Sequence, residues 1–392
     1  MSIAAAPTAR ERFLASLDGE PVAPVPCDVY LGSISTVLAG ALCGELGVPV
    51  GDHDSLVRAL GAHLRWGHPL YIGPTLEVVP GCSPEFPNSA VVRGIWGTID
   101  GVETYGDDFP RPFRDVDSIA EIDRHAWPDP GWFDYSRIGW HRDEPGDFLP
   151  IADWAARHAD VGRWLVDWMP LFSRVMDLFG MEAGLLCVGA RPDLVDAVVA
   201  HVGHFLEAYY TRLAMAAQGH ADVLGFADDF AGQGGLLMSP ETWRRQFLPV
   251  WRRLFPIAHA HGMRAGMHAC GAVGAVLGDL IDAGLDVLEP VQTTATGMDP
   301  SILKRRFGTN LAYYGGVDTQ RVLPRGSPAD VRAEVRRLVD ALGTGGRYVV
   351  SSCHFLLEDV PAQNVLAMFD EAHTYAGPTD ATAGSCITPT AH

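Results

Sequence analysis

The stretches DVLGFADD (222–229), PETWRRQFLPVWRRLFPIAHAHG (240–262) and RAGMHAC (264–270) decide how this chain is read. A short apolar run ends in two aspartates. A helical run follows with Pro240 in its first turn, and then a second apolar run. The alternation continues with AVLGDLIDAG (275–284), then DVLEPVQ (286–292) before DPSILKRRFG (299–308). LAYYGGV (311–317) precedes SPADVRAEVRRLVDALG (327–343), and RYVVSSCH (347–354) precedes PAQNVLAMFDEAHTYA (361–376). Short apolar runs, each followed by an amphipathic helix, predict parallel strands with crossover helices, the α/β class. An open doubly wound sheet satisfies that order. The chain length, and the lack of a phosphate-binding glycine turn after an early strand, favour a (β/α)8 TIM barrel. GQGG (232–235) follows Asp228 and Asp229 rather than opening a helix, so it reads as a lip of the site.

The N-terminal half is less regular. VPCDVYLG (25–32) and PLYIG (69–73) are the expected first strands. Residues 77–163 are rich in Pro, Gly, Asp and Trp and read as an insertion over the barrel mouth, with a hairpin expected around Asp100-Gly101. WLVDWMPLFSRVMDLFG (164–180) resumes the strand–helix pattern, and a long helix over 192–218 leads to Asp222. The expectation is one barrel domain over 1–376 and a loose tail over 377–392.

Bulk composition narrows the function. The 392 residues are 47% hydrophobic and 20% charged, enough for a large core. A formal net charge of −19 argues against a nucleic-acid surface and against attachment to anionic lipid, both of which need clustered Lys and Arg. No apolar stretch approaches the ~20 residues that span a bilayer. The start, MSIAAAPTARERF, lacks the features of a secretory signal. Seven scattered cysteines are not a disulfide framework. A cytoplasmic protein is expected, where free thiols persist and thiolates bind metal.

Chemistry concentrates at strand ends. Side chains alternate faces along a strand, so His268 and Cys270 of RAGMHAC lie on one face, ~6–7 Å apart along it. Cys353 ends the last strand in the same way. The C-terminal ends of barrel strands are where active sites sit. An imidazole and two thiols with an open fourth position suit a catalytic zinc, which presents a substrate thiol as thiolate. The same His-x-Cys is equally an ordinary feature of a buried strand, and the residues alone leave both readings open. Asp228 and Asp229 are placed to orient substrate or act as a general acid; the alternative is a polar loop cap. Glu289 and Asp318 share the strand-end position, as a fourth ligand, as a hydrogen-bond partner for His268, or as structural groups. His354 should alternate to the other face. His259 and His261 read as helix C-terminal caps.

RERFLASLDGEPVAPVP (10–26), GFADDFAGQGGLLMSPETWRRQFLPVWRRLF (225–255), LAYYGGVDTQRVLPRGSPADV (311–331) and CHFLLEDVPAQNVLAMFDEA (353–372) together resemble the uroporphyrinogen decarboxylase superfamily. Within it they are similar to the zinc methyltransferase branch that includes methylcobamide:coenzyme M methyltransferases. The resemblance implies a (β/α)8 barrel and places zinc ligands on His268, Cys270 and Cys353. It also implies methyl or alkyl transfer between a small methylated compound or corrinoid and a thiol or corrinoid acceptor. Cobalamin would be carried by a partner corrinoid protein, and a homodimer fits the same reading. Decarboxylases of the superfamily hold a polycarboxylate with an arginine-rich stretch near the N-terminus, whereas residues 13–57 here contain no Arg or Lys. A metal-independent decarboxylase is therefore the runner-up, and a catalytically idle subunit that docks a corrinoid protein is a third reading.

Overall fold

A computed structural model describes residues 6–29, 33–78, 92–100, 111–140 and 145–377. In chain order the principal strands are β1 (Leu64–Tyr71), β2 (Gly162–Leu165), β3 (Val223–Ala227), β4 (Arg264–His268), β5 (Val287–Val291), β6 (Ala312–Val317) and β7 (Tyr348–Ser352). From β2 onward, helices separate strands that pair in parallel, so the expected α/β class holds. The chain divides into two compact units. One comprises Met1–Trp66, His158–Arg163 and Val287–His392, the other Gly67–Arg157 and Trp164–Asp286.

The second unit carries the β2–β3–β4 ladder, with Trp164 opposite Val223 and Ala227 opposite His268. Gly225 and Gly266 are register partners in β3 and β4, and a Cβ on either would run into the Trp164 ring. Glycine is used here because a large side chain occupies the space over both strands. The helix Pro192–Ala217 buries Leu194, Val198, Val202, Phe205 and Tyr209 at helical spacing. Its Tyr210 ring lies 4.5 Å from Phe226 on β3, and Phe226 meets Phe255 at 5.2 Å. Within this unit β1 pairs antiparallel with Phe133–Gly139, which pairs with Leu149–Pro150. Three two-residue strands, Glu77–Val78, Val92–Arg93 and Ile99–Asp100, make a small antiparallel sheet.

The first unit carries the β5–β6–β7 ladder, with Gly315 opposite Val350 and Val317 opposite Ser352. Cys27 bridges to Val350, and the His63 N–H donates to the Cys27 carbonyl at 2.9 Å. The 25–29 segment therefore lies between β7 and the residue that precedes β1. The helix Pro328–Leu338 starts in a capping box made by Ser327 and Asp330. It packs on the helix Ala362–Thr374, where Arg336 pairs with the buried Glu371 at 2.6 Å.

Four expectations need correction. The second strand begins at Leu64, well before Pro69; Arg65 and His68 inside it hide the apolar run. The hairpin turns at Gly94–Gly97, where Gly97 takes a φ of +74°, so Asp100 is a strand residue and Gly101 lies outside the described residues. The 240–262 run is two helices, Pro240–Gln246 and Leu248–Ala260, broken where Pro249 lacks the N–H a continuous helix would use. The fourth strand stops at His268, so Cys270 stands beyond it. Tyr30–Gly32 of the expected first strand and 378–392 of the expected tail lie outside the described residues.

Candidate metal centre

β3 and β4 run side by side and end together, which brings Asp228 and Asp229 level with the residues after His268. The Asp228 N–H donates to the His268 carbonyl at 2.9 Å, extending the ladder one step beyond the strands. The chain then turns. Gly271 takes a φ of +87°, and a Cβ there would meet the carbonyl oxygens of Ala231 and Gly232 at 2.7 and 2.8 Å. Only glycine fits that approach.

Cys270 Sγ stands 3.5 Å from His268 Nε2. Asp229 Oδ1 lies 3.6 Å from the same nitrogen and accepts the Cys270 N–H at 3.0 Å. Ligand atoms of Asp229, His268 and Cys270 all fall within 4.8 Å of one another. His268 is buried while Asp229 and Cys270 are half-buried, so the cluster is open on one side. Trp168, 45% exposed, meets the His268 ring edge-on at 5.7 Å.

This donor set fits zinc. A tetrahedral ion with Zn–S near 2.3 Å and Zn–N near 2.0 Å separates sulfur from nitrogen by about 3.5 Å, and nitrogen from a carboxylate oxygen by about 3.4 Å. The observed separations are 3.5 and 3.6 Å. A thiol, an imidazole and a carboxylate are ligands zinc accepts.

Asp228 has a different place. It is fully buried, and its two oxygens accept the N–H groups of Phe172 and Ser173 at 2.8 and 3.0 Å. It thereby caps the helix Phe172–Phe179. Burial pushes its carboxyl up to about 7, against the lowering effect of the Ser173 and Phe172 N–H groups. His261 Nδ1 lies 2.9 Å from the Ile257 carbonyl at the end of its helix, and His259 pairs with Asp286 at 2.7 Å, both structural roles.

Glu289, Asp318 and Cys353 belong to the first unit; Asp318 and Cys353 directly follow β6 and β7, but Glu289 is the middle residue of β5 rather than a strand end, because β5 runs on through Pro290 and Val291. Glu289 is buried on β5. Asp318 accepts the Gln320 N–H at 2.7 Å. Cys353 is buried, its thiol donates to the Val291 carbonyl at 3.2 Å, and its N–H donates to the Val317 carbonyl at 2.9 Å. His354 is exposed beside it and meets the Phe355 ring at 4.7 Å. The triad within the second unit thus contains Asp229 where the sequence pointed to Cys353.

Two groups escaped the sequence reading. Trp168 follows β2 in the run LVDW, and its strand-end position was the available signal. Asp28 is buried in the first unit, accepting Trp66 Nε1–H and Tyr314 O–H, each at 2.9 Å. Burial raises it to about 7, against both hydrogen bonds. A carboxylate inside the otherwise apolar run VPCDV (25–29), which forms a single bridge at Cys27 rather than the expected strand, was the clue.

An α/β protein with a thiol, an imidazole and a carboxylate gathered where parallel strands end is the class that fold and site define. The uroporphyrinogen decarboxylase (URO-D) family model matches residues 174–375, more than half of the chain. The chain belongs to that family. It is 31% identical over 151 residues to the methylcobamide:CoM methyltransferase MtaA of Methanosarcina barkeri, covering 38% of this chain and 40% of that protein. It is 29% identical over 97 residues to the uroporphyrinogen decarboxylase of Methylococcus capsulatus, covering 25% and 26%. These matches span well under half of either relative. A solved methyltransferase from Methanosarcina mazei shares the fold, with a TM-score of 0.57 at 18% identity over 94% of this chain and 98% of that one. Among the described residues no helix is long and apolar enough to cross a membrane.

Proposed function

We propose that this chain is a zinc-dependent methyl or alkyl transferase. It would move the group between a small methylated compound or a corrinoid and a thiol or corrinoid acceptor, with the corrinoid held by a partner protein. The observation that carries the reading is the 3.5 Å approach of Cys270 Sγ to His268 Nε2, with Asp229 at 3.6 Å. The likeness to the Methanosarcina barkeri methylcobamide:CoM methyltransferase supports the reaction class. His268 and Cys270 would hold the zinc with one third donor, either Asp229 beside them or the Cys353 sulfur that the resemblance implies, which leaves the fourth position for the acceptor. When bound, zinc supplies the Lewis acidity that makes an acceptor thiol a thiolate at neutral pH.

The chain's own residues do the positioning. Asp229 takes the Cys270 N–H and stands beside His268 Nε2, so one carboxylate sets the direction of both donors. Asp228, locked to the helix Phe172–Phe179, holds the Asp229 backbone at the strand end. Trp168 lies edge-on to His268 and shields it from water on that side.

The test is zinc content together with methyl transfer from methylcobalamin to a panel of thiols. Cys270→Ser and His268→Ala should lose the zinc of this site and lower transfer by ~100-fold or more. Full transfer by zinc-free protein would refute the reading. Carbon dioxide release from a tetrapyrrole carboxylate by such protein would favour the decarboxylase. Cys353→Ala assigns the third donor: loss of zinc selects the sulfur, and retention selects Asp229.

A further inference from the structure

A second cluster of metal-binding side chains lies within the first unit and has no part in the reaction above. Cys27, His63 and His373 present ligand atoms that all fall within 4.8 Å of one another. Cys27 Sγ is 3.2 Å from His373 Nε2 and 3.7 Å from His63 Nδ1. These values bracket the S···N separation of about 3.5 Å that a tetrahedral zinc imposes. The two imidazole rings stack at 5.9 Å with 26° between their planes. Cys27 and His63 are buried.

The surroundings hold the third ligand in place. Gly61, at a φ of +75°, has no Cβ; one built there would meet the His373 ring at 2.7 Å. His373 Nε2 and His63 Nδ1, the nitrogens nearest the sulfur, also stand 3.1 Å from the Gly61 and Cys27 carbonyls, so a metal would replace those hydrogen bonds and send each ring proton to the other nitrogen. His373 also lines a groove of about 490 Å³ with Leu60, Leu366, Phe369 and Asp370, which gives an ion a path from solvent.

We propose that Cys27, His63 and His373 form a second, structural site for a thiophilic divalent ion of the zinc class, clipping the C-terminal helix Ala362–Thr374 to the segment that pairs with β7. On binding, the sulfur–metal bond replaces the S–H bond and the thiol proton leaves to water. Each imidazole stays neutral, its proton on the nitrogen remote from the metal. A water reaching through the groove completes the tetrahedron. The clip joins residues 346 positions apart, and an ion that binds only the folded chain stabilises it by mass action.

The experiment uses full-length protein carrying Cys270→Ser and Cys353→Ala, which silence the other site's sulfurs, loaded with zinc or cobalt(II). About one metal per chain should remain. The cobalt form should show thiolate-to-metal charge-transfer absorption, and a chelator should lower the melting temperature. Adding Cys27→Ser should abolish the absorption. Adding His373→Gln should weaken zinc binding tenfold or more against a chromophoric chelator and remove the chelator's effect on melting. If the double variant misfolds, His373→Gln alone should reduce the zinc bound by the otherwise wild-type chain from two to one. A folded Cys270→Ser, Cys353→Ala protein that takes up no zinc would overturn the proposal. So would zinc binding unchanged by His373→Gln. Neither result bears on the transferase reading, whose ligands are separate residues.

Discussion

Asp54 shows how one carboxylate's surroundings become a pH dependence. Its oxygens lie 2.7 Å from Arg65 Nε and 2.9 Å from Arg58 Nε. Burial works to raise the carboxyl, and the hydrogen bonds and charges of Arg65 and Arg58 outweigh it, holding it at about 2. The folded value is below the unfolded one, so Asp54 contributes stability that is complete above roughly pH 4 and lost as pH falls toward 2. Discounting for the partial exposure of Arg58, Asp54→Asn should cost about 1–2 kcal/mol at pH 7 and about half that at pH 3. Urea unfolding of both proteins across that range measures it, and a cost that does not change with pH would remove the explanation. At the candidate metal centre, Asp229→Asn should lower zinc affinity by ~10–100-fold, read by chelator competition. At this scale the sequence named His268, Cys270 and Asp229 but not their geometry. The pleat rule needs a continuous strand, and the strand ends at His268.

At the scale of elements, the close fit of β3 and β4 beneath Trp164 gives a sharp test. Gly266→Ala puts a methyl group into the Trp164 ring, so overpacking should cost about 1–3 kcal/mol. Thermal melting should show it, and pairing the change with Trp164→Phe should recover part of the loss; unchanged melting would mean the space is not filled as described. At the start of the helix Pro328–Leu338, Ser327→Ala should cost ~1 kcal/mol, because the Asp330 N–H loses its acceptor. Helices of this kind were legible because their caps, prolines and apolar spacing are local signals. β1 was poorly legible, since Arg65 and His68 lie inside it and its burial is decided by distant neighbours.

For the whole molecule, the net charge of −19 is the governing quantity. Like charges repel across a folded chain, and salt shortens their reach to ~8–10 Å at physiological strength. The melting temperature should rise between low salt and 150 mM KCl; a fall would mean that ion pairs such as Arg253–Glu207 and Arg332–Asp370 outweigh the repulsion. A prediction of this kind needs only the composition. The α/β class also follows from the chain's own order of apolar runs and helices, while the division into two units does not, since the first unit gathers stretches far apart in sequence.

The sequence by itself determined the parallel strands, the helices between them, and the placement of reactive side chains at strand ends, because each is written within a few neighbouring residues. Only the tertiary structure decided which donors meet. The β3–β4 register and the turn at Gly271 put Asp229 against His268 and Cys270, and the return of the last helix put His373 against Cys27. Such meetings depend on pairing between remote segments, where a shift of one residue would turn each side chain to the other face.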